Sequence, residues 1–309
     1  MPTNLPRVEP ARLRPRDAHR VLERIEDWLL AKVDILFGAA AELGHSGDIE
    51  PLHKMRVHSR RLRVGLRFFA VLFNAAELRQ VQRQLRRVTR GLGEIRALDV
   101  NRQLLHKLAP DLPPAANAAR AALEQRLRAD RAARTAELQE LMRMLATSRF
   151  EPRVRALIAR ARYLDDARVR HGAAAELCNL RKKVKRRFAQ FTRRGGGKSS
   201  HKLRIAVKQY RYGLETADAV FAMPVREQIR SVENLQELMG ECHDLEVLLE
   251  YLKQQETRPT RLEKMLAASF GSMVKFLQRE HARRSEKVVE FFDRERGWLR
   301  KVKLRRIHE

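Results

Sequence analysis

Cationic side chains recur at helical spacing in the stretch HKMRVHSRRLRVGLR, residues 53–67. On a helix of 3.6 residues per turn they share one face, opposite an apolar stripe of Met55, Leu62, Leu66 and Phe69. The cations on this face are His53, Arg56, Arg60, Arg63 and Arg67. Because an arginine side chain offers paired N–H donors that match phosphate oxygens two at a time, the pattern predicts a helix whose polar face binds phosphate groups.

The same pattern returns 148 residues downstream, in HKLRIAVKQYRYGL at 201–214, where six of fourteen positions are identical to 53–66. The cations of this second copy are His201, Arg204, Lys208 and Arg211. A further pair, LGEIRALDV at 92–100 and MGECHDLEV at 239–247, lies at nearly the same offset, so the repeat extends into the following helix. A solvated face needs no repeated register, and the duplication therefore favours two related basic helices that close one groove.

Two other segments carry clustered cations. The segment after residue 77 places Arg79, Arg83, Arg86 and Arg90 on one helical face, whereas its counterpart in the second copy keeps only Arg226 and Arg230. Like charges four residues apart weaken an isolated helix, which favours a ligand that relieves them. The polybasic RKKVKRRF at 181–188 is less specific: either it is a surface patch, or Arg181 and Lys185, which share a face, also bind the ligand.

The composition favours a polyanionic partner. The chain has 309 residues, with 65 Lys and Arg against 38 Asp and Glu, which gives a formal net charge of +27. Nucleic acid would also be attracted to this charge and stays an alternative ligand. Single-strand binders place stacking rings among their cations, however, and only 6% of the residues here are aromatic, with none on the basic faces.

The sequence lacks the residue sets that catalysis or metal binding would need. Cys242, His243 and Asp244 are adjacent, but the further His and Asp ligands of a metal-dependent phosphohydrolase are missing. GGGKS at 195–199 lacks both the spacing and the preceding strand of a phosphate-binding loop. We therefore expect a binding protein that is not an enzyme and has no cofactor and no metal.

Periodicity and composition predict an all-α fold. Helices are expected at about 17–43, from 52, and at 77–108, 115–147, 150–162, 173–193, 201–221, 224–253 and 260–304, with a loop at 193–200. The domain prediction is a Pro/Arg-rich tail at 1–16, two repeats at about 17–162 and 163–304, and a basic tail at 305–309. Two cysteines and the absence of a signal peptide or a ~20-residue apolar run predict a cytoplasmic protein without a membrane span.

The pattern H-x-x-R-x-x-x-K/R-x-x-R at 53–63 and 201–211, with LGxxRxLDV downstream, resembles the CHAD family, the conserved histidine α-helical domain. The resemblance covers about 17–300. It implies two pseudo-twofold-related four-helix bundles around a basic central groove or pore, which binds inorganic polyphosphate and associates with polyphosphate granules, without catalysis. The ligand-facing positions that it implies are His53, Arg56, Arg60, Arg63, His201, Arg204, Lys208 and Arg211.

The chain departs from the family pattern at two places. Ala97 stands where the family usually has Asp, and His243 occupies the position equivalent to Arg96. Local support around the turns is therefore expected to differ between the halves. For His53 and His201 two roles stay open: direct contact with phosphate, or a hydrogen bond to a nearby carboxylate or carbonyl at the start of a helix.

Overall fold

The computed structural model describes residues 15–46, 49–194, 198–256 and 260–294, and within these ranges the fold is all-α, as predicted. The first half contains α1 (Pro15–Ser46), α2 (Ile49–Phe68), α3 (Ala75–Leu108), α4 (Asn117–Ala133), α5 (Thr135–Thr147) and α6 (Phe150–Ala159). The second half contains α7 (Asp166–Arg194), α8 (Lys198–Phe221), α9 (Arg226–Glu256), α10 (Arg261–Met265) and α11 (Ala267–Arg294).

The apolar stripes predicted from spacing form the core. Met55, Leu62, Leu66 and Phe69 are fully buried, and Val81, Leu85, Val88 and Leu92 of α3 and Leu203, Val207, Tyr210 and Leu214 of α8 are buried as well. Because each stripe is on one side of its helix, burying it turns the opposite, basic face away from the hydrophobic core. The hydrophobic pattern therefore determines where the cations of α2 and α8 point.

Helix ends differ from the expected ones for local reasons. The single helix expected at 115–147 is divided into α4 and α5 at Arg134, whose φ and ψ are −85° and −1°. The Asn74 side chain accepts hydrogen bonds from the Ala76 and Glu77 amides and starts α3. After α8, Ala222 adopts a positive φ of 51°, which helps to end that helix.

Part of the predicted organisation lies outside the described residues. This applies to 195–197 of the expected loop, to 295–304 of the last expected helix, and to the tails at 1–14 and 305–309, whereas Pro15 and Arg16 already belong to α1. α7 and α8 extend into both sides of the expected 193–200 loop. The division into repeats at 17–162 and 163–304 stays a prediction.

Equivalent helices pack in the same way in the two halves. α2 packs against α1 and α3, and α8 packs against α7 and α9; in addition α2 contacts α8, and α3 contacts α9. The larger hydrophobic core contains residues of both halves, and so does a smaller one that includes Leu98, Leu123, Leu245 and Met273. Two separate four-helix bundles therefore stay a prediction. None of the described helices is long and apolar enough to cross a bilayer.

Candidate functional site

The basic faces of α2 and α8 meet at a cleft of about 610 Å³. The faces converge because α2 and α8 pack directly against each other, each between two other helices of its own half. α3, α7 and α9 complete the walls. The cationic residues that line this space, called the basic cleft below, are Arg56, Arg60, Arg63, Arg67, Arg86, Arg90, Arg204 and Lys208, with His201 and His243.

Five cations from α2 and α8 lack acidic partners. Within the described part of the chain, no carboxylate forms an ion pair with Arg56, Arg60, Arg63, Arg204 or Lys208. All five are partly buried. The Nε atoms of Arg63 and Arg204 are buried without a hydrogen-bond partner in the described structure. Partly dehydrated cations held together without counter-charges are costly unless an anion joins them.

The pKa values of these groups reflect that cost. Burial, followed by the charges of Arg204, Arg60 and Arg56, lowers the pKa of the Lys208 ammonium to about 6. Burial and neighbouring guanidinium groups also lower the pKa of Arg56 to about 9. The pKa values of Arg63 and Arg204 are lowered for the same reason, with Asp244 acting in the opposite direction on Arg204. A phosphate group in the basic cleft would favour the charged form of each.

Gly93 of α3 leaves room for one of these arginines. A Cβ atom at this position would lie 2.9 Å from Nη1 of Arg56, closer than non-bonded heavy atoms normally approach. The glycine therefore lets the Arg56 guanidinium lie against α3 and still line the basic cleft. Next to it, the Thr89 hydroxyl donates to the Ser59 hydroxyl at 3.1 Å, and this buried hydrogen bond holds α3 to α2.

One acidic side chain, Glu176 of α7, is among the residues that line the basic cleft. Its Oε1 accepts a hydrogen bond from Nη2 of Arg67 at 2.6 Å. Arg67 is thus the one predicted α2 cation whose charge is already matched by a carboxylate in the described structure. We expect Arg67 to contribute less to anion binding than Arg60 or Arg63.

The remaining predicted residues fall into two groups. Arg86 and Arg90 of α3 line the basic cleft, although Arg90 is also 3.7 Å from Glu94. Outside its lining are Arg79, Arg83, Arg181, Lys185, Arg211 and His53. Arg211 pairs with Glu215 at 3.2 Å and with Glu233 at 3.4 Å.

The two repeat histidines occupy different surroundings. His201 lines the basic cleft, whereas His53, its equivalent in the first copy, is outside the lining, although both side chains are exposed. Burial lowers the pKa of both imidazoles, with a further contribution from Arg96 at His53 and from His243 at His201. The twofold repeat is therefore not reproduced in the site itself.

His243 is a lining residue that was not among the predicted ligand positions. Its ring lies 5.1 Å from that of His201, and its Nδ1 is 3.4 Å from Oε2 of Glu246. Although burial acts in the opposite direction, hydrogen bonds from His243 and His281 lower the pKa of Glu246 to about 2. The repeat alignment could have pointed to His243 as a lining residue, because His243 takes the position of the cationic Arg96.

A second cavity adjoins the basic cleft. It has a volume of about 1110 Å³, lies between α3, α4, α9 and α11, and shares His201 and His243 with the basic cleft. Its lining includes four carboxylates, so it differs in charge from the basic cleft; these are Glu94, Asp130, Glu246 and Glu250. Among the described residues, no three His, Cys, Asp or Glu side chains are placed to hold a metal ion.

Comparison with known proteins identifies one domain family by sequence and two solved structures with a similar fold. The family model of the CHAD domain matches residues 29–253. The fold is similar to the crystal structure of the CHAD domain from the plant Ricinus communis, with a TM-score of 0.65 and 20% identity over 92% of each chain. It is also similar to PptA from Streptomyces chartreusis, with a TM-score of 0.61 and 18% identity over 88% of this chain and 99% of that one. No curated protein shows significant sequence similarity to this chain.

Proposed function

The chain belongs to the CHAD domain family, and from this premise we propose that its basic cleft binds inorganic polyphosphate without catalysing its turnover. The observation that supports this most is the set of five partly buried cations on α2 and α8 without acidic partners. A phosphate polymer supplies closely spaced negative charges, which match cations placed one helical turn apart. The proposal includes association with polyphosphate granules in the cytoplasm.

The lining of the basic cleft favours a polymer without bases over nucleic acid. Tyr212 is the one Phe, Tyr or Trp among the described lining residues, and it is buried. Guanidinium groups of Arg61 and Arg211 lie 5.9 and 5.3 Å from its ring centre. Because the ring is buried against its neighbours, it offers no open face on which a base could stack. The +27 net charge still favours some nucleic-acid binding, outside the basic cleft.

Titration with long-chain polyphosphate at several salt concentrations tests the proposal. If about four or five phosphates replace counterions, the slope of log K against log salt concentration should be roughly −3 to −5, at ~0.7–0.9 per neutralised phosphate. Calorimetry or fluorescence anisotropy gives this slope directly. A slope near zero, or no binding at near-physiological salt, would show that the basic cleft does not bind polyphosphate.

A further inference from the structure

Lys208 is the one lysine among the described residues that line the basic cleft. It follows Arg204 by one turn of α8, is partly buried, and has no acidic partner in the described structure. The charged groups that act on it come from three helices: Arg204 from α8, Arg56 and Arg60 from α2, and Asp244 from α9. An amine thus stands among guanidinium groups that are suited to hold a phosphate.

We propose that Lys208 is a modification site for small acyl phosphates, whose phosphate group is held by the cleft arginines while the ε-amino nitrogen takes the acyl group. The inference deepens the proposed function, because it requires the basic cleft to bind phosphate groups. It adds a covalent reaction that removes one cation from the cleft. Among the described lysines, Lys208 is the one that lines the basic cleft together with these arginines.

The reaction balances without an oxidant, a reductant or a further reactant. The lone pair of Nζ attacks the acyl carbonyl carbon, and the carbon–oxygen bond to phosphate breaks. Inorganic phosphate leaves with that electron pair, and the nitrogen loses one proton to the phosphate or to water. The products are an amide at Lys208 and inorganic phosphate. Arg56, Arg60 and Arg204 would stabilise the charge that develops on the departing phosphate.

The state of the amine supports this reactivity. Only a neutral amine is nucleophilic, and a lysine beside other cations in a partly dehydrated site is a recognised form of activated nucleophile. Because burial and the neighbouring arginines lower the pKa of Lys208 to about 6, most of this side chain is neutral at pH 7.5 in the free protein. A bound acyl phosphate raises this pKa, but burial and the arginines still act on the amine, so we expect a larger neutral fraction at Lys208 than at an exposed lysine. The exposed Lys54 and Lys202, each next to a repeat histidine, are the internal controls for lysines without this setting.

The experiment measures acetylation rates on the folded full chain. The protein is incubated with acetyl phosphate at pH 7.5 and low salt, and peptide mass spectrometry gives initial rates at Lys208, Lys54 and Lys202. We expect Lys208 to react at least about tenfold faster than either control. Excess inorganic phosphate should lower the acetylation rate at Lys208 and leave the rate at Lys202 unchanged. An acetylating ester without a phosphate group should show several-fold lower preference for Lys208.

Two results would overturn the inference: acetylation of Lys208 no faster than Lys202, or a Lys208 rate that inorganic phosphate leaves unchanged. A polyphosphate titration of the unmodified protein in the same buffer separates this inference from the proposed function. Binding of polyphosphate without selective acetylation refutes the modification alone. Selective, phosphate-sensitive acetylation without polyphosphate binding refutes the proposed function alone.

Discussion

The partly buried cations of α2 and α8 are the residues on which anion binding should depend. The double variants Arg56→Glu with Arg60→Glu, and Arg204→Glu with Lys208→Glu, each place two negative charges in the basic cleft. Each should weaken polyphosphate binding at least about tenfold, since charge-assisted hydrogen bonds are lost and repulsion replaces them. The matched control is Arg226→Glu with Arg230→Glu, which changes two exposed cations of α9 outside the cleft.

The affinities come from titration at one salt concentration, with circular dichroism to confirm that helicity is retained. The control variant should lose far less affinity than either cleft variant. If the variant at 204 and 208 binds like the wild type, α8 has only a structural role and the two-sided cleft is wrong.

Binding should also take up protons. The pKa values of Lys208 and His201 lie below their ordinary values in the free protein, and bound phosphate would raise both. The complex therefore holds more protons than its separate components, and by linkage affinity should rise as pH falls from about 8 toward 6. Calorimetry in two buffers of different ionisation heat counts the protons.

Single variants assign the proton uptake. Lys208→Gln and His201→Gln should each remove part of it, whereas His53→Gln should have a smaller effect, because His53 is outside the lining of the basic cleft. If the wild type takes up no protons over this range, neither side chain changes its charge on binding, and the electrostatic account of Lys208 fails.

At the scale of the helix, only part of the basic face of α3 lines the basic cleft. Arg86 and Arg90 line the basic cleft, whereas Arg79 and Arg83 do not. All four arginines lie on the same face of α3, and all four are exposed. Reversing the charges at 86 and 90 should therefore cost about three- to tenfold in affinity, and reversing those at 79 and 83 less. The two double variants have equal net charge, so equal losses would mean that only overall charge matters.

Two glycines at equivalent repeat positions permit close helix packing. A Cβ atom on Gly65 of α2 would collide with the Trp28 ring of α1, and one on Gly213 of α8 would lie 2.8 Å from a Leu180 methyl group of α7. Gly65→Ala should destabilise the fold by roughly 1–3 kcal/mol, because a ring is less able to move aside than the end of a chain. Thermal or denaturant unfolding measures this change.

Gly240 of α9 is the matched control, since a Cβ atom there would meet nothing within 4 Å. Gly240→Ala should stabilise the protein by about 0.5–1 kcal/mol through helix propensity alone. Stabilisation of similar size by Gly65→Ala would contradict the close approach of α1 and α2.

The helices and their buried faces were predictable because a period of 3.6 residues is a local property of the sequence. Met55, Leu62 and Leu66 are buried as their spacing requires. Which cations share a cleft depends instead on how distant helices cross. Spacing alone cannot distinguish Arg86 from Arg83, since the difference arises from where the basic cleft ends along α3. The ion pair of Arg211 with Glu215 could be predicted from their spacing of four residues on α8. The pair of Arg211 with Glu233 could not, because Glu233 lies on another helix.

Over the whole molecule, the duplication produces an asymmetric site from two similar sequences. The charge of Arg96 contributes to the lowered pKa of His53, which is outside the basic cleft, whereas its counterpart His243 lies beside His201 within the lining. The equivalent acidic positions also differ: Asp99 pairs with Arg131 at 3.2 Å, and Glu246 accepts from His243 and His281. One end of the basic cleft thus carries imidazole groups that the first copy does not match.

The central claim is that the basic cleft selects a phosphate chain without bases. The most direct test is competition at near-physiological salt. The protein is first bound to labelled polyphosphate, and unlabelled long-chain polyphosphate or single-stranded RNA, matched in phosphate concentration, is then added. We predict that polyphosphate displaces the labelled polyphosphate at a concentration at least about tenfold lower than RNA, because the bases of RNA find no open ring to stack on in the basic cleft. Equal displacement by RNA would contradict the account and make the protein a general binder of polyanions.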